Sequence, residues 1–172
     1  MDVFEALYTT RAMRRVSEEK IPEEIIQQMV DAAIRAPSGS NRQGWKFIVV
    51  TDETIKNQLG DAYRDAWSYY IKEFYGNNAD MGASQVVDTE KQDQVVRISN
   101  SATWLAENYH KVPALFVVLS RNDPTGSSIY PAIWNLMLAG RAHKVGTCLT
   151  TVLGIDRKST RLNSSHVRTS RM

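Results

Sequence analysis

Two short segments in the first third of the chain carry side chains suited to binding an anion and a planar ligand. The first holds three arginines within five residues, Arg11, Arg14 and Arg15, directly after a predicted short helix. Arg11 and Arg15 would lie one helical turn apart, so that their guanidiniums could hold a phosphate through forked hydrogen bonds. A hydrated basic cluster without a ligand is the alternative interpretation.

The second segment, residues 36–45 (APSGSNRQGW), is rich in hydroxyls, side-chain amides and backbone N–H groups. Such a loop is suited to hydrogen bonding with the edge of a heterocycle. By itself it is more typical of the turn that ends a helix.

Motifs for side-chain catalysis are absent from the sequence. It contains no GxSxG, no HExxH and no GxxxxGK[ST]. His110 and His143 lack a metal-ligand partner at helical spacing, and Cys148, the single cysteine, is predicted to be a small buried residue in a β-rich run. We therefore expect no metal site and no catalytic side chain, with a bound cofactor supplying the reactive group.

The periodicity of apolar residues predicts the elements that position these segments. Helices are predicted over 2–11, from Pro22 to just before Pro37, and over 55–75, 90–109 and 129–143. Strands are predicted over 45–50, 114–120 and 147–153. This alternation favours an α+β or α/β fold with helices around a central sheet.

Composition predicts one soluble globular domain. The chain has 172 residues, of which 42% are hydrophobic and 23% charged, and no apolar run is long enough to span a bilayer. The amino terminus lacks the pattern of a signal peptide, so we expect a cytoplasmic protein without a membrane partner.

The last seventeen residues differ in character from the rest. They hold five of the 21 basic side chains and one of the 19 acidic ones, which leaves residues 1–155 with a net charge of −2. A nucleic-acid-binding arm is one interpretation of such a tail, but the acidic body opposes it, and we expect no nucleic-acid partner. Residues 156–166 (DRKSTRLNSSH) resemble the translation of a common sequencing-library adapter. We therefore predict a domain over 1–155 and a non-native tail over 156–172.

The order of the motifs resembles the nitroreductase-like flavin proteins. The matching parts are RAMRR at 11–15, the amphipathic helix after it, APSGSNRQGW leading into the WKFIVV strand, and residues 130–151. The resemblance covers roughly residues 4–155 and is weak between 60 and 110. It implies an α+β fold with a central, mainly antiparallel sheet flanked by helices. It also implies an intertwined homodimer that binds FMN non-covalently at its interface, and a family domain that continues beyond residue 155.

The resemblance also implies which residues bind the flavin. Carried over by motif position, they are Arg11, Ala12, Met13, Arg15, Pro37, Ser38, Ser40, Asn41, Gln43, Leu149, Thr150 and Thr151. Met13 replaces a common serine and Gly44 replaces a common proline, so one hydroxyl contact is lost and one turn is looser. Trp67, Tyr70 and Phe74, with the loop at 76–88, are assigned to the cover of the acceptor pocket; the alternative is an aromatic helix face packed in the core or in the dimer interface.

The activity implied is an FMN-dependent NAD(P)H oxidoreductase. In the family, a nicotinamide delivers hydride to flavin N5, and a nitroaromatic, a quinone or a similar electron-poor small molecule is then reduced. The alternatives are a flavin-binding relative with a deiodinase-, dehydrogenase- or flavin-consuming activity, or an inactive fragment.

Overall fold

The computed structural model describes residues 1–72, 89–154 and 170–171, with side chains for 1–72 and 96–154. Within these ranges the helices are α1 (Val3–Thr9), α2 (Glu23–Ala33), α3 (Glu53–Ile71), α4 (Thr89–Asn108) and α5 (Ile129–Ala142). The strands are β1 (Trp45–Val50), β2 (Leu115–Ser120) and β3 (Ser170–Arg171). Short 3-10 turns occupy Gly39–Asn41, Tyr109–Lys111 and Val152–Gly154.

Acidic side chains begin three of the helices. The Asp2 carboxylate accepts the N–H of Glu5 at 2.9 Å, and the Asp52 carboxylate accepts that of Ile55 at 2.9 Å. Before α5, Asp123 accepts the N–H of Ile129 at 2.9 Å from six residues upstream. Each cap satisfies a donor that the helix cannot, and is worth about 1 kcal/mol.

The sheet is antiparallel, with β2 in the middle. β1 pairs with β2 from Trp45 opposite Ser120 to Val50 opposite Leu115, and β3 pairs with β2 through Arg171 opposite Val117. Helices flank the sheet, which confirms the predicted α+β class and its antiparallel sheet. β3 lies within the segment predicted to be a non-native tail, and the domain boundary at residue 155 stays a prediction.

Alternate residues of β2 pack into two separate hydrophobic cores. Phe116 and Val118 pack with α2 and α5, where Met29 and Leu136 are fully buried. Leu115, on the other face, packs with residues of α3 and α4. The two-residue period of a strand therefore places one helical layer on each face of the sheet.

The predicted strand over 147–153 was wrong. Residues 145–149 carry no regular structure, Thr150 forms an isolated bridge, and Val152–Gly154 is a 3-10 turn. The N–H of Val152 donates to Thr150 Oγ1 at 3.4 Å and that of Gly154 to the Thr151 carbonyl at 2.8 Å. These local bonds turn the backbone where a strand would stay extended.

The helical setting expected for the arginine cluster was also wrong. α1 ends at Thr9, and the residues from Thr10 to Pro22 form no helix. Arg11 and Arg15 are therefore not on one helical face. The other predicted helices are present with shifted ends; α3 ends at Ile71, and residues 73–75 of its predicted span lie outside the described residues. Within the described ranges, no helix combines the length and the apolar character needed to cross a membrane.

Candidate functional site

The segment of the arginine cluster meets the segment after α5 in a close backbone contact. The N–H of Met13 donates to the Thr147 carbonyl at 2.8 Å. At Gly146, an added Cβ would lie 3.1 Å from Met13 Cβ and 3.3 Å from Val16 Cγ1. A glycine at this position lets the two backbones approach closely. The structure thus brings residues 11–15 against Gly146 and Thr147, directly before the predicted group 149–151, of which Thr150 lines the same cavity as Arg14 and Arg15; we call this contact the junction.

The three arginines at the junction have different surroundings. Arg11 is exposed, whereas the guanidinium of Arg15 lies 5.6 Å from the centre of the Trp104 ring, within range of a cation–π interaction. Arg14 is half-buried and lies close enough to Cys148 to act on its ionisation. Burial raises the pKa of the Cys148 thiol, and the Arg14 charge opposes part of that rise. Sequence reasoning missed Trp104, because no motif links it to Arg15, which lies 89 positions earlier in the chain.

A cavity of about 570 Å³ opens beside the junction. Its lining includes the cations Arg14, Arg15, Lys20 and Lys144, together with His143 and Glu19. Its apolar lining includes Ile25, Met29, Leu115, Phe116 and Val145. A volume of this size accommodates a cofactor or another small molecule. The combination of guanidiniums and apolar surface suits a ligand with an anionic end and a non-polar body.

Thr150 is tied to α3 through its side chain. Its Oγ1 lies 3.0 Å from the hydroxyl of Tyr63 and accepts the N–H of Val152 at 3.4 Å. The neighbouring Leu149 is half-buried against the core of α2 and α5, and Thr151 is exposed. The three residues thus run from the core to the surface over a short distance.

The polar loop predicted to meet a heterocycle is held by its own side chains. Ser38 Oγ accepts the N–H of Gln43 at 3.0 Å, and Gln43 Nε2 donates to Asn41 Oδ1 at 3.2 Å. Ser40, Asn41 and Gln43 all have positive φ, at 54°, 53° and 48°. Non-glycine residues rarely adopt this conformation, and clusters of such strain occur at ligand-binding sites. All three are exposed, as is Pro37.

This loop and the cavity lie at opposite ends of the β1–β2 ladder. Gly39 donates its N–H to Ser128 Oγ at 3.2 Å, and Gly44 packs on Arg121, so the loop lies beyond the end where Trp45 faces Ser120. The cavity lies at the other end, beside Leu115. A single chain therefore presents the predicted site residues as two separate surfaces.

The aromatic side chains assigned to an acceptor pocket lie on α3. Trp67 is half-buried against the core of α3 and α4, and its Nε1–H donates to Thr103 Oγ1 at 3.3 Å. Its ring stacks with that of Tyr70 at 5.6 Å. Phe74 and the loop at 76–88 lie outside the described residues. The contacts of Trp67 agree with the alternative of core packing, and a substrate contact for Trp67, Tyr70 or Phe74 stays a prediction.

The fold and its motifs define a class of protein. The model of the Nitroreductase family matches residues 7–165, so this chain belongs to the nitroreductase family. The predicted resemblance is confirmed. A nitroreductase from Bacteroides fragilis, solved with bound FMN, shares the fold: the TM-score is 0.66 at 19% identity, over 99% of this chain and 86% of that one.

The names of two curated relatives indicate different activities. Iodotyrosine deiodinase 1 from Sus scrofa is 26% identical over 121 residues, which is 70% of this chain and 37% of the relative. A putative NADH dehydrogenase/NAD(P)H nitroreductase from Methanothermobacter thermautotrophicus is 35% identical over 63 residues, 37% of this chain and 33% of the relative. The chain thus spans about a third of the length of the curated relatives that it matches.

Proposed function

We propose that this chain belongs to an FMN-dependent oxidoreductase that uses NAD(P)H to reduce an electron-poor small molecule, such as a nitroaromatic compound or a quinone. The observation that carries the proposal is the junction, where the N–H of Met13 is bonded to the Thr147 carbonyl beside a cavity that Arg14, Arg15 and Thr150 also line. The nicotinamide reductant is supported by the name of the archaeal relative.

The residues at the junction fit FMN chemically. Arg11 and Arg15 offer charged, forked donors for a phosphate, and the backbone at Ala12 and Met13 lies between them. FMN supplies reversible two-electron chemistry when bound, and so the protein needs no acid–base pair of its own. Its task is to bind, orient and shield the ring, which we assign on one side to residues 149–151.

A second copy of the chain supplies the other half of the site in this proposal. Pro37, Ser38, Ser40, Asn41 and Gln43 are exposed or partly exposed at the end of the sheet remote from the cavity. A homodimer in which the strained loop of one subunit faces the junction of its partner would unite the two surfaces. Cofactor retention and association would then depend on each other.

The acceptor, in this proposal, binds against the end of α3. Trp67 and Tyr70 form a stacked aromatic pair there, and aromatic faces are suited to planar acceptors. Kinetics distinguishes a core role of this aromatic pair from a role in binding the substrate. If the pair binds the substrate, Tyr70→Ala would raise the KM for a quinone while leaving FMN bound.

Reductive removal of iodide is the second candidate activity. It is favoured by the deiodinase relative, whose match extends over 70% of this chain. The two activities differ in the acceptor, and share the proposed cofactor site. The predicted cytoplasmic location stays a prediction.

The test begins with the absorbance spectrum of the purified chain, before and after incubation with FMN and gel filtration. Retained flavin bands, with NAD(P)H oxidation that depends on an added quinone, would support the oxidoreductase. Flavin retention with turnover of 3-iodotyrosine and none of the quinone would favour the deiodinase. A chain that elutes without flavin from every incubation would refute both. Light scattering at each step measures the oligomeric state, and a monomer that keeps its flavin fully would refute the shared site.

A further inference from the structure

Tyr63 is one of the most deeply buried polar side chains of the described residues, with 2% of its surface exposed. It lies on α3, and its ring stacks on that of Tyr109 with centres 4.2 Å apart and planes 9° apart. Tyr109, just after α4, is itself 1% exposed. Two stacked and buried aromatic rings leave the phenol of Tyr63 little freedom to move.

The hydroxyl of this immobilised ring is bonded to the segment at the junction. It lies 3.0 Å from Thr150 Oγ1, across 87 positions of sequence. Residues 145–151 have no helix or strand ladder along their length, and so their position depends on individual bonds. Met13 holds Thr147 from one side and Tyr63 holds Thr150 from the other.

We propose that Tyr63 is a positioning residue of the cofactor site, which sets the place of residues 149–151 relative to α3. The proposal rests on the proposed function, because it takes those residues as part of the FMN site. Tyr63 does not touch the cofactor in this assignment and acts through Thr150. Trp67 follows Tyr63 by one helical turn on the same face of α3, so one rigid helix connects the acceptor side with the cofactor side.

Removing the hydroxyl tests the proposal without removing the ring. Tyr63→Phe keeps the stack on Tyr109 and loses the bond to Thr150, and Thr150→Val loses the same bond from the other side. We expect each to weaken FMN binding by about fivefold, the usual size for one buried hydrogen bond. Thr150→Val also loses the 3.4 Å bond from the Val152 N–H. The double variant would be no weaker than Thr150→Val alone, because that variant already lacks the bond that Tyr63→Phe removes.

A second measurement separates positioning from a general loss of stability. If residues 149–151 contact the reduced flavin ring more closely than the oxidised ring, the variants lose about fivefold more affinity for reduced FMN than for oxidised FMN. That ratio lowers the midpoint potential of bound FMN by about 20 mV for a two-electron couple. A purely structural role would lower the melting temperature and leave the potential unchanged. Tyr69→Phe, on the same helix and outside the proposed site, is the matched control.

Thr150→Ser keeps a hydroxyl and should recover most of the affinity that Thr150→Val loses. If Tyr63→Phe does not fold, this contrast between serine and valine decides the question alone. Unchanged FMN affinity and potential in Tyr63→Phe and Thr150→Val, or losses that multiply in the double variant, would overturn the positioning role. Absence of FMN binding by the unaltered chain and by Tyr69→Phe would instead overturn the proposed function, and this inference with it.

Discussion

Adding one methyl group at Gly146 should disturb the candidate site more than it disturbs the fold. Gly146→Ala places a Cβ 3.1 Å from Met13 Cβ, 3.3 Å from Val16 Cγ1 and 3.4 Å from Met13 Cγ. The nearest of these atoms is attached directly to a backbone that is held by the 2.8 Å bond from Met13 N–H to Thr147. It cannot swing aside as the end of a long side chain can. The arginine segment must shift by a few tenths of an ångström.

The expected free-energy change is the balance of two effects. Overpacking of this kind destabilises the folded state by about 1–3 kcal/mol, whereas Gly→Ala at an unstrained position stabilises it by about 0.4–1 kcal/mol by restricting the unfolded chain. Gly146 is not in the left-handed region, so this stabilising effect applies. Because the segment of residues 10–20 is largely exposed but Met13 Cβ is attached to a bonded backbone, we take the middle of the cost range, about 2 kcal/mol. A net loss of about 1 kcal/mol results, or roughly 2–4 °C in Tm for a chain of this size.

The assay is thermal unfolding by circular dichroism, paired with FMN titration. Gly39→Ala is the control for stability, because its Cβ would meet nothing nearer than Ser128 Oγ at 3.9 Å. We expect Gly146→Ala to melt lower than Gly39→Ala and to bind FMN several-fold more weakly than the unaltered chain. Equal melting temperatures in the two variants, with FMN affinity intact, would refute the close contact as the feature that positions the arginines.

Three further outcomes are expected. Arg11→Ala should weaken FMN binding more than Arg14→Ala does, because Arg14 lies towards Cys148. The loss of a charge-assisted bond corresponds to roughly 10-fold or more in affinity, and equal affinities of the two variants by fluorescence titration would contradict the assignment. Burial raises the pKa of Cys148 above its ordinary 9.0. The buried neutral thiol therefore contributes its full stability below about pH 9, and this contribution is lost as the pH rises through the pKa of the folded state. Between pH 8 and pH 10, urea unfolding should show a smaller fall in the free energy of unfolding for Cys148→Ala than for the unaltered chain. Deleting residues 156–172 should change the free energy of unfolding by no more than about 0.5 kcal/mol, because β3 pairs with β2 through only two of the described residues. A drop of several degrees in Tm would mean that the tail packs as native sequence.

Much of the fold is readable from local patterns. β1 spans Trp45–Val50 as the β-rich run predicts, and α5 begins at Ile129 as its apolar spacing predicts. These elements have a strong apolar pattern, so local propensity and tertiary packing agree. The family, too, follows from short motifs at the right order and spacing.

Local patterns failed where a segment obtains its hydrogen bonds from distant parts of the chain. The run TCLTTVL at 147–153 has the composition of a strand, yet Met13 and Tyr63 bond to it from two sides and it becomes a turn. Likewise, the spacing of Arg11 and Arg15 suggests a helical face, but the backbone there is bonded to Thr147 and not to itself. Composition alone cannot distinguish these cases, because the competing partners lie far away in sequence.

The sequence by itself determined the family, the antiparallel sheet with its flanking helices and the chemical types of the candidate ligand-binding residues. Tertiary structure alone decided which of them meet: Arg14, Arg15 and Thr150 line one cavity, while the loop of residues 37–43 lies at the other end of the sheet. It also decided the surroundings of single groups, such as Trp104 beneath Arg15. The physical reason is that contacts between distant residues are set by how the two helical layers pack on β2, and that packing depends on the whole chain at once.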